Sequence, residues 1–197
     1  MNPPTSPIRT RAHVVYLIDR SGSMRQFGEE GYSSVQSAIE ELPAVRGDDC
    51  LVSVITFDHK HTRVAQGALA AQYVLPEEAV APRGLTALRD ALKDTIEYMG
   101  TLPSHQKKFL VVFTDGQDNS SKTSTAQIKS MLSALDADIS WLAAAEADMQ
   151  TAEHLGIDEK DVMKVGCTGI NMTQAIRSSS YKASTGFSQL QRRSSVE

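Results

Sequence analysis

Two apolar runs, Val14-Val15-Tyr16-Leu17-Ile18 and Phe109-Leu110-Val111-Val112-Phe113, most constrain the fold. Each is too short for an independent helix and too uniformly apolar for a strand with one wet face. Each therefore reads as a central strand of a parallel sheet, buried on both sides. Both runs stop at polar residues that include an aspartate: Asp19-Arg20-Ser21-Gly22-Ser23 after the first, Thr114-Asp115-Gly116 after the second. In an open α/β sheet, ligands bind at the carboxyl ends of the strands, near the point where strand order reverses. Two strands that each deliver a carboxylate at that end point to one shared site.

The rest of the chain alternates strand-like and helix-like segments. Residues 33–42 carry apolar side chains at helical spacing, with Pro43 as the stop. Residues 50–57 read as a strand, and Asp58-His59-Lys60-His61 as a turn into a second strand over 62–65, the one antiparallel hairpin. Pro76 and Pro82 bracket a loop with one helical turn at 77–80. Gly84-Leu85-Thr86 opens a helix with a buried stripe from Ala87 to Met99, which Gly100 and Pro103 end. Further helices are expected over 125–135, 149–155 and 171–177, and strands over 139–145 and 162–165. The expected fold class is α/β: a Rossmann-like three-layer sandwich, its central sheet mainly parallel with one antiparallel hairpin edge, and helices on both faces. A chain of 197 residues fits one such domain, over 12–177, between a flexible leader (1–11) and a Ser-rich, mobile tail (178–197).

Composition excludes several classes. A net charge of -4 without clustered Lys and Arg gives no nucleic-acid surface. No stretch approaches the roughly 18 apolar residues of a membrane span, so no membrane partner is expected. Residues 1–11 contain no apolar signal core, and a cytoplasmic location follows by default. Cys50 and Cys167 lie far apart in apolar settings and read as buried free thiols.

Asp19, Ser21, Ser23 and Asp115 offer only oxygen, and Thr86 adds a hydroxyl from a glycine-containing loop at a helix start. Such donors suit a hard divalent cation, Mg²⁺ foremost, with Mn²⁺ or Ca²⁺ equally compatible. Taken separately, the two serines could cap the following helix and Asp115-Gly116 could be only a turn. Taken together, the five residues resemble the metal-ion-dependent adhesion site of the von Willebrand factor A family, in which Asp-x-Ser-x-Ser is followed by a distant threonine and a distant aspartate. The resemblance covers about residues 11–177. It implies a metal held by Asp19, Ser21, Ser23, Thr86 and Asp115, whose open position takes a Glu or Asp of a partner protein. It also implies partners of the kind found in multi-subunit machines, including ATPase-containing assemblies. Gly22 permits the tight backbone, and Gly116, Asp118 and Asn119 are expected behind the ligands or at the rim. Arg20 and Met24 are not ligands in this scheme.

Two other functions are open. One is a Mg²⁺-dependent phosphoryl-transfer or hydrolytic enzyme built on Asp19. The phospho-aspartate pattern places a second acid where Ser21 stands, and no Walker loop or nucleophile elbow is present. The other is a metal-independent scaffold. The expectation is a binding module and not an enzyme, with no catalytic residues. His59 and His61 would share a strand face, but with no third ligand they read as a solvated turn. Arg46-Gly47-Asp48 reads as a turn, Trp141 as core, and Glu146 and Asp148 as rim or water-facing groups.

Overall fold

The computed structural model describes residues 11–115, 118–143 and 146–164, without the side chain of Glu146. Gly116, Cys167, the helix expected over 171–177, the tail and all of the leader but Arg11 lie outside the described residues.

Six strands form one sheet: β1 (Ala12–Asp19), β2 (Leu51–Phe57), β3 (His61–Leu69), β4 (Lys107–Thr114), β5 (Asp138–Ala143) and β6 (Val162–Lys164). Their spatial order is β3-β2-β1-β4-β5-β6. All pairs are parallel except β2 with β3. The helices are α1 (Gly28–Arg46), α2 (Leu88–Thr101), α3 (Thr125–Ser133) and α4 (Glu146–Leu155). This is the α/β sandwich expected from the sequence.

The uniformly apolar β1 has a simple cause. Val14, Tyr16 and Ile18 pack in a core with Val35, Ile39 and Leu42 of α1. Val15 and Leu17 face the other way, into a core with Leu88 and Leu92 of α2, Ile128 of α3 and Leu155 of α4. Alternate residues of one strand therefore serve opposite layers, and neither face is wet. In β4, Phe109, Val111 and Phe113 join the first core while Leu110 and Val112 join the second. Trp141 is fully buried, as expected.

Several boundaries differ from the sequence reading: α1 begins at Gly28, β3 runs on to Leu69 and α4 begins at Glu146, and two more have a distinct physical cause. Pro43 does not stop α1; it lies inside the helix, which runs on to Arg46. A proline removes one backbone donor there. The last turn is held by burial of Leu42 and by the Arg46 guanidinium, 3.9 Å over the Phe109 ring. The stop is Gly47, whose φ of 98° suits glycine and whose amide donates to the Pro43 carbonyl. Residues 84–87 are loop, and α2 begins only at Leu88. Its first amides are capped from a distance: Arg89 N–H donates to Asp118 (2.8 Å) and Asp90 N–H to Ser121 (3.2 Å). Asp148 is also not water-facing; it is fully buried.

At the end of the sheet where β1 begins, His13 is buried in a polar network. Its Nε2 lies 2.8 Å from the Ser53 hydroxyl and its Nδ1 2.9 Å from Gln106 Oε1. Ser53 also meets Tyr98 OH (2.8 Å) and the Gly67 amide (2.9 Å). The network closes with neutral imidazole: Nδ1–H donates to Gln106, and Ser53 donates to Nε2 while accepting from Tyr98 and Gly67. Burial lowers the His13 pKa, and nearby Lys108 adds to this against the Gln106 hydrogen bond. Below about pH 6.5 the unfolded chain takes up a proton that the folded chain refuses, so stability falls with pH. Urea unfolding between pH 7.5 and 5 should show a larger loss for wild type than for His13→Gln, by at most about 2 kcal/mol; equal losses would remove His13 from the acid response.

Candidate metal-binding site

The strand order reverses at β1, which has β2 on one side and β4 on the other. The crevice at the carboxyl ends of β1 and β4 is where a site is expected, and it holds both aspartates. Asp19 ends β1 and is 1% exposed. Its Oδ1 accepts from the Ser21 amide (2.7 Å) and its Oδ2 from the Thr114 hydroxyl (2.7 Å). Ser21 and Ser23 hydroxyls lie 3.0 Å apart. Ser23 then donates to Asp115 Oδ1 (2.8 Å), whose other oxygen accepts from Gln26. A run of hydrogen bonds through Ser21 and Ser23 thus joins the two strand ends.

The serines do not cap a helix. Ser21 precedes a 3-10 turn, Gly22–Phe27, and makes no capping bond with its side chain. Met24 and Phe27 of that turn are buried, and Phe27 packs edge-on against Phe113 of β4 at 5.5 Å. This packing fixes Ser23 and Gln26 over Asp115. Beneath the turn lies a cavity of about 330 Å³, which Asp19, Phe27, Tyr32, Val80 and Phe113 help to line.

Thr86 reaches the site on a loop tied down at both sides. Gly22 N–H donates to Gly84 O (3.2 Å) and Arg83 N–H to Arg20 O (2.7 Å). Thr86 N–H donates to Asn119 Oδ1 (3.0 Å), and its carbonyl accepts from the Asn119 and Ser120 amides. Asn119 therefore positions Thr86. Asp118 serves α2 instead, accepting from Arg89 Nε at 2.9 Å. Gly84 is required: its φ is 71°, and a Cβ there would sit 2.7 Å from His59 Nδ1.

The sequence reading missed Asp58, taken there as a turn residue. It is fully buried. Its carboxylate accepts from Arg83 Nε (2.8 Å) and the Lys60 amide (2.9 Å), and lies 3.2 Å from Arg20 Nε and 3.0 Å from His59 Nδ1. Its backbone carbonyl accepts from Ala87 N–H. Burial alone pushes this carboxyl up, but the bonds from Arg83 and Lys60 and the charges of Arg20 and His59 outweigh it and hold it below the usual range. Asp58 thus joins the segments that carry Ser21 and Thr86. A fully buried carboxylate was invisible in a turn-like tetrapeptide; the two arginines 38 and 25 residues away gave no local signal. Gln26 and Thr114 were likewise not singled out, although Thr114 adjoins Asp115. His59 and His61 do not share a site, since His61 faces Asp94 at 3.5 Å.

Asp19 contrasts with Asp58. Burial, with some repulsion from Asp115, raises its pKa to about 6 against the bonds from Ser21 and Thr114. Among the described residues no three His, Cys, Asp or Glu side chains form a metal-holding group. A cation here would rest on two carboxylates and hydroxyls, an oxygen set that fits Mg²⁺.

The sequence model of the von Willebrand factor type A domain matches residues 14–117, more than half of the chain, and the chain belongs to that family. Solved structures share the fold. The PilB minor pilin from Streptococcus sanguinis has a TM-score of 0.69 at 12% identity, over 91% of this chain and 63% of its own. The von Willebrand factor type A domain of the type V pilus tip protein Mfa5 from Porphyromonas gingivalis gives 0.67 at 12%, over 90% and 96%. Proximal thread matrix protein 1 from the mussel byssus, with zinc in its MIDAS motif, gives 0.68 at 16%, over 89% and 46%. The chain thus spans less than two thirds of the pilin and of the byssus protein. No curated protein matches it.

Two outcomes follow from the buried carboxylates. Folded Asp19 keeps its proton up to about pH 6, and the unfolded group only to about 3.8, so stability is lost as pH rises through this window. That amounts to about 3 kcal/mol at most. In EDTA at pH 7.5, Asp19→Asn should unfold at higher urea than wild type, with the gap closing at pH 4; an unchanged or lower midpoint would refute the strained carboxylate. Asp58→Ala leaves Arg20 buried without its carboxylate and should cost about 3–5 kcal/mol, read from the same titration.

Proposed function

We propose that this chain is a divalent-metal-dependent protein-binding module. Asp19, Ser21, Ser23, Thr86 and Asp115 would hold Mg²⁺, with Mn²⁺ or Ca²⁺ as alternatives, and the ion supplies an electrophilic site for a Glu or Asp side chain of a partner protein. The carrying observation is the run of hydrogen bonds from Asp19 to the Ser21 amide and from the Ser21 hydroxyl through Ser23 to Asp115. Neutral hydroxyls offset a cation's charge poorly, so a donor set with only two carboxylates leaves appetite for a third. Burial raises the pKa of Asp19, and a divalent ion beside it would favour the ionised form. The family's adhesion-type neighbours favour a protein partner over a substrate. A cytoplasmic location is part of the proposal on sequence grounds alone.

A phosphoryl-transfer role for Asp19 is less well supported. Ser21 stands where the second acid would be, and its hydroxyl is engaged with Ser23.

Mn²⁺ titration followed by electron paramagnetic resonance tests the metal. The Ser21→Ala, Ser23→Ala double variant should bind at least about tenfold more weakly than wild type with its urea midpoint little changed; equal affinities would end this assignment. Sustained phosphate release that Asp19→Ala abolishes would instead establish the enzyme.

A further inference from the structure

One flank of the site carries a surplus of positive charge and an exposed aliphatic side chain. The flank consists of residues 20–22, 58–60 and 83–85, which the Gly22–Gly84, Arg83–Arg20 and Asp58–Arg83 bonds hold together. These segments carry three cations, Arg20, Lys60 and Arg83, and one carboxylate, Asp58, a formal surplus of two positive charges. Arg20 is buried, its terminal nitrogens turned to Ala79 O (3.2 Å) and Thr62 (3.4 Å). Arg83 differs. Only its Nε bonds Asp58, and its side chain is 61% exposed. Among the described residues Arg83 has no other ion-pair partner and Lys60 has none.

Leu85 lies between Gly84 and Thr86 and is 57% exposed. Among the described residues two other large apolar side chains are more than a third exposed, Leu69 and Val74, the latter just past the turn whose Ala70 amide donates to Cys50 O, next to the start of β2. Leu69 pairs with Leu51, at the far end of the sheet from the site. Leu85 is thus the exposed aliphatic group at the rim, one peptide unit (about 3.8 Å) from Thr86. The ion would draw one carboxylate of an approaching ligand, and the surplus charge of the flank adds a second attraction beside it.

We propose that Arg83, Lys60 and Leu85 form a docking surface for a protein segment that carries two acidic residues around an aliphatic one. This rests on the metal reading above. One carboxylate goes to the ion, the second pairs with the outer guanidinium nitrogens of Arg83 with Lys60 nearby, and the aliphatic side chain covers Leu85. Arg83 suits this role because Asp58 holds its Nε and leaves the outer face of the fork to a carboxylate. Charge complementarity selects the acidic segment over a basic or neutral one, and Leu85 selects an apolar neighbour.

The test uses the full chain and fluorescein-labelled peptides in which two Glu residues, one to four positions apart, flank or enclose Leu. Matched peptides have the second Glu replaced by Gln, or Leu by Ser. Affinities are read by anisotropy in Mg²⁺, and Mn²⁺ binding is measured in parallel. Wild type should bind the best di-acidic peptide at least about fivefold more tightly than its single-Glu counterpart. Arg83→Gln, read at saturating Mg²⁺, should remove that difference, and Leu85→Ser should remove the preference for Leu over Ser with Mn²⁺ affinity within about twofold of wild type. Leu85→Ser alters only an exposed side chain, so it keeps the test decisive if Arg83→Gln folds poorly. Normal Mn²⁺ binding with no di-acidic preference, or a preference that survives both substitutions, overturns the docking surface alone. Absence of Mn²⁺ binding by wild type overturns the metal reading and the two-point mode with it.

Discussion

The placement of β1 between two parallel neighbours governs this molecule. Asp19 of β1 lies in register with Phe57 of β2, and Ile18 with Phe113 of β4. Chains leaving β1, β2 and β4 therefore emerge side by side at one end of the sheet. Their connections lead to opposite faces, to α1 on one side and towards α2 and α3 on the other, and this opens the crevice. No side chain has to reach far: Asp19 is the last residue of β1, and Asp58 and Asp115 directly follow β2 and β4. The apolar packing that buries β1 on both faces is thus also what aligns the polar ends.

The same alignment creates two buried carboxylates with opposite fates. Asp58 meets two guanidinium groups, an imidazole and an amide, so its charge is compensated within the fold. Asp19 meets one amide, one hydroxyl and the charge of Asp115, and its ionisation is opposed. The two carboxylates thus differ in what surrounds them: Asp58 is paired within the fold, and Asp19 is held mainly by neutral donors. Asp58 works for Asp19 from behind, since the contacts that neutralise it also bring the loop of Thr86 against the loop of Ser21.

The architecture was legible because it depends on periodicity and on burial of whole strands. Five apolar residues in a row at 14–18 and at 109–113 admit little else. The motif order, from Asp19 to Thr86 to Asp115, points to strand ends that the fold brings side by side. What escaped was decided by distant contacts. Pro43 carries a local stop signal, but Leu42 burial and the Arg46–Phe109 stack lie outside any local window. The start of α2 at Leu88 depends on Asp118 and Ser121 caps some thirty residues away. Asp58 reads as a turn acid because arginines that come from two other loops cannot be seen from its neighbours.

The ties between Asp19 and Thr114 and between Ser23 and Asp115 span 95 and 92 residues of chain. Closing such loops costs entropy that only later contacts repay, and contacts of this range form slowly. Helices such as α1 can appear early, but the run of hydrogen bonds at the crevice exists only after β4 has docked beside β1. During synthesis the first half of the site waits, incomplete, until the second has left the ribosome. The arrangement makes the completed crevice a late event in the life of the chain, a property of finished molecules and not of folding intermediates.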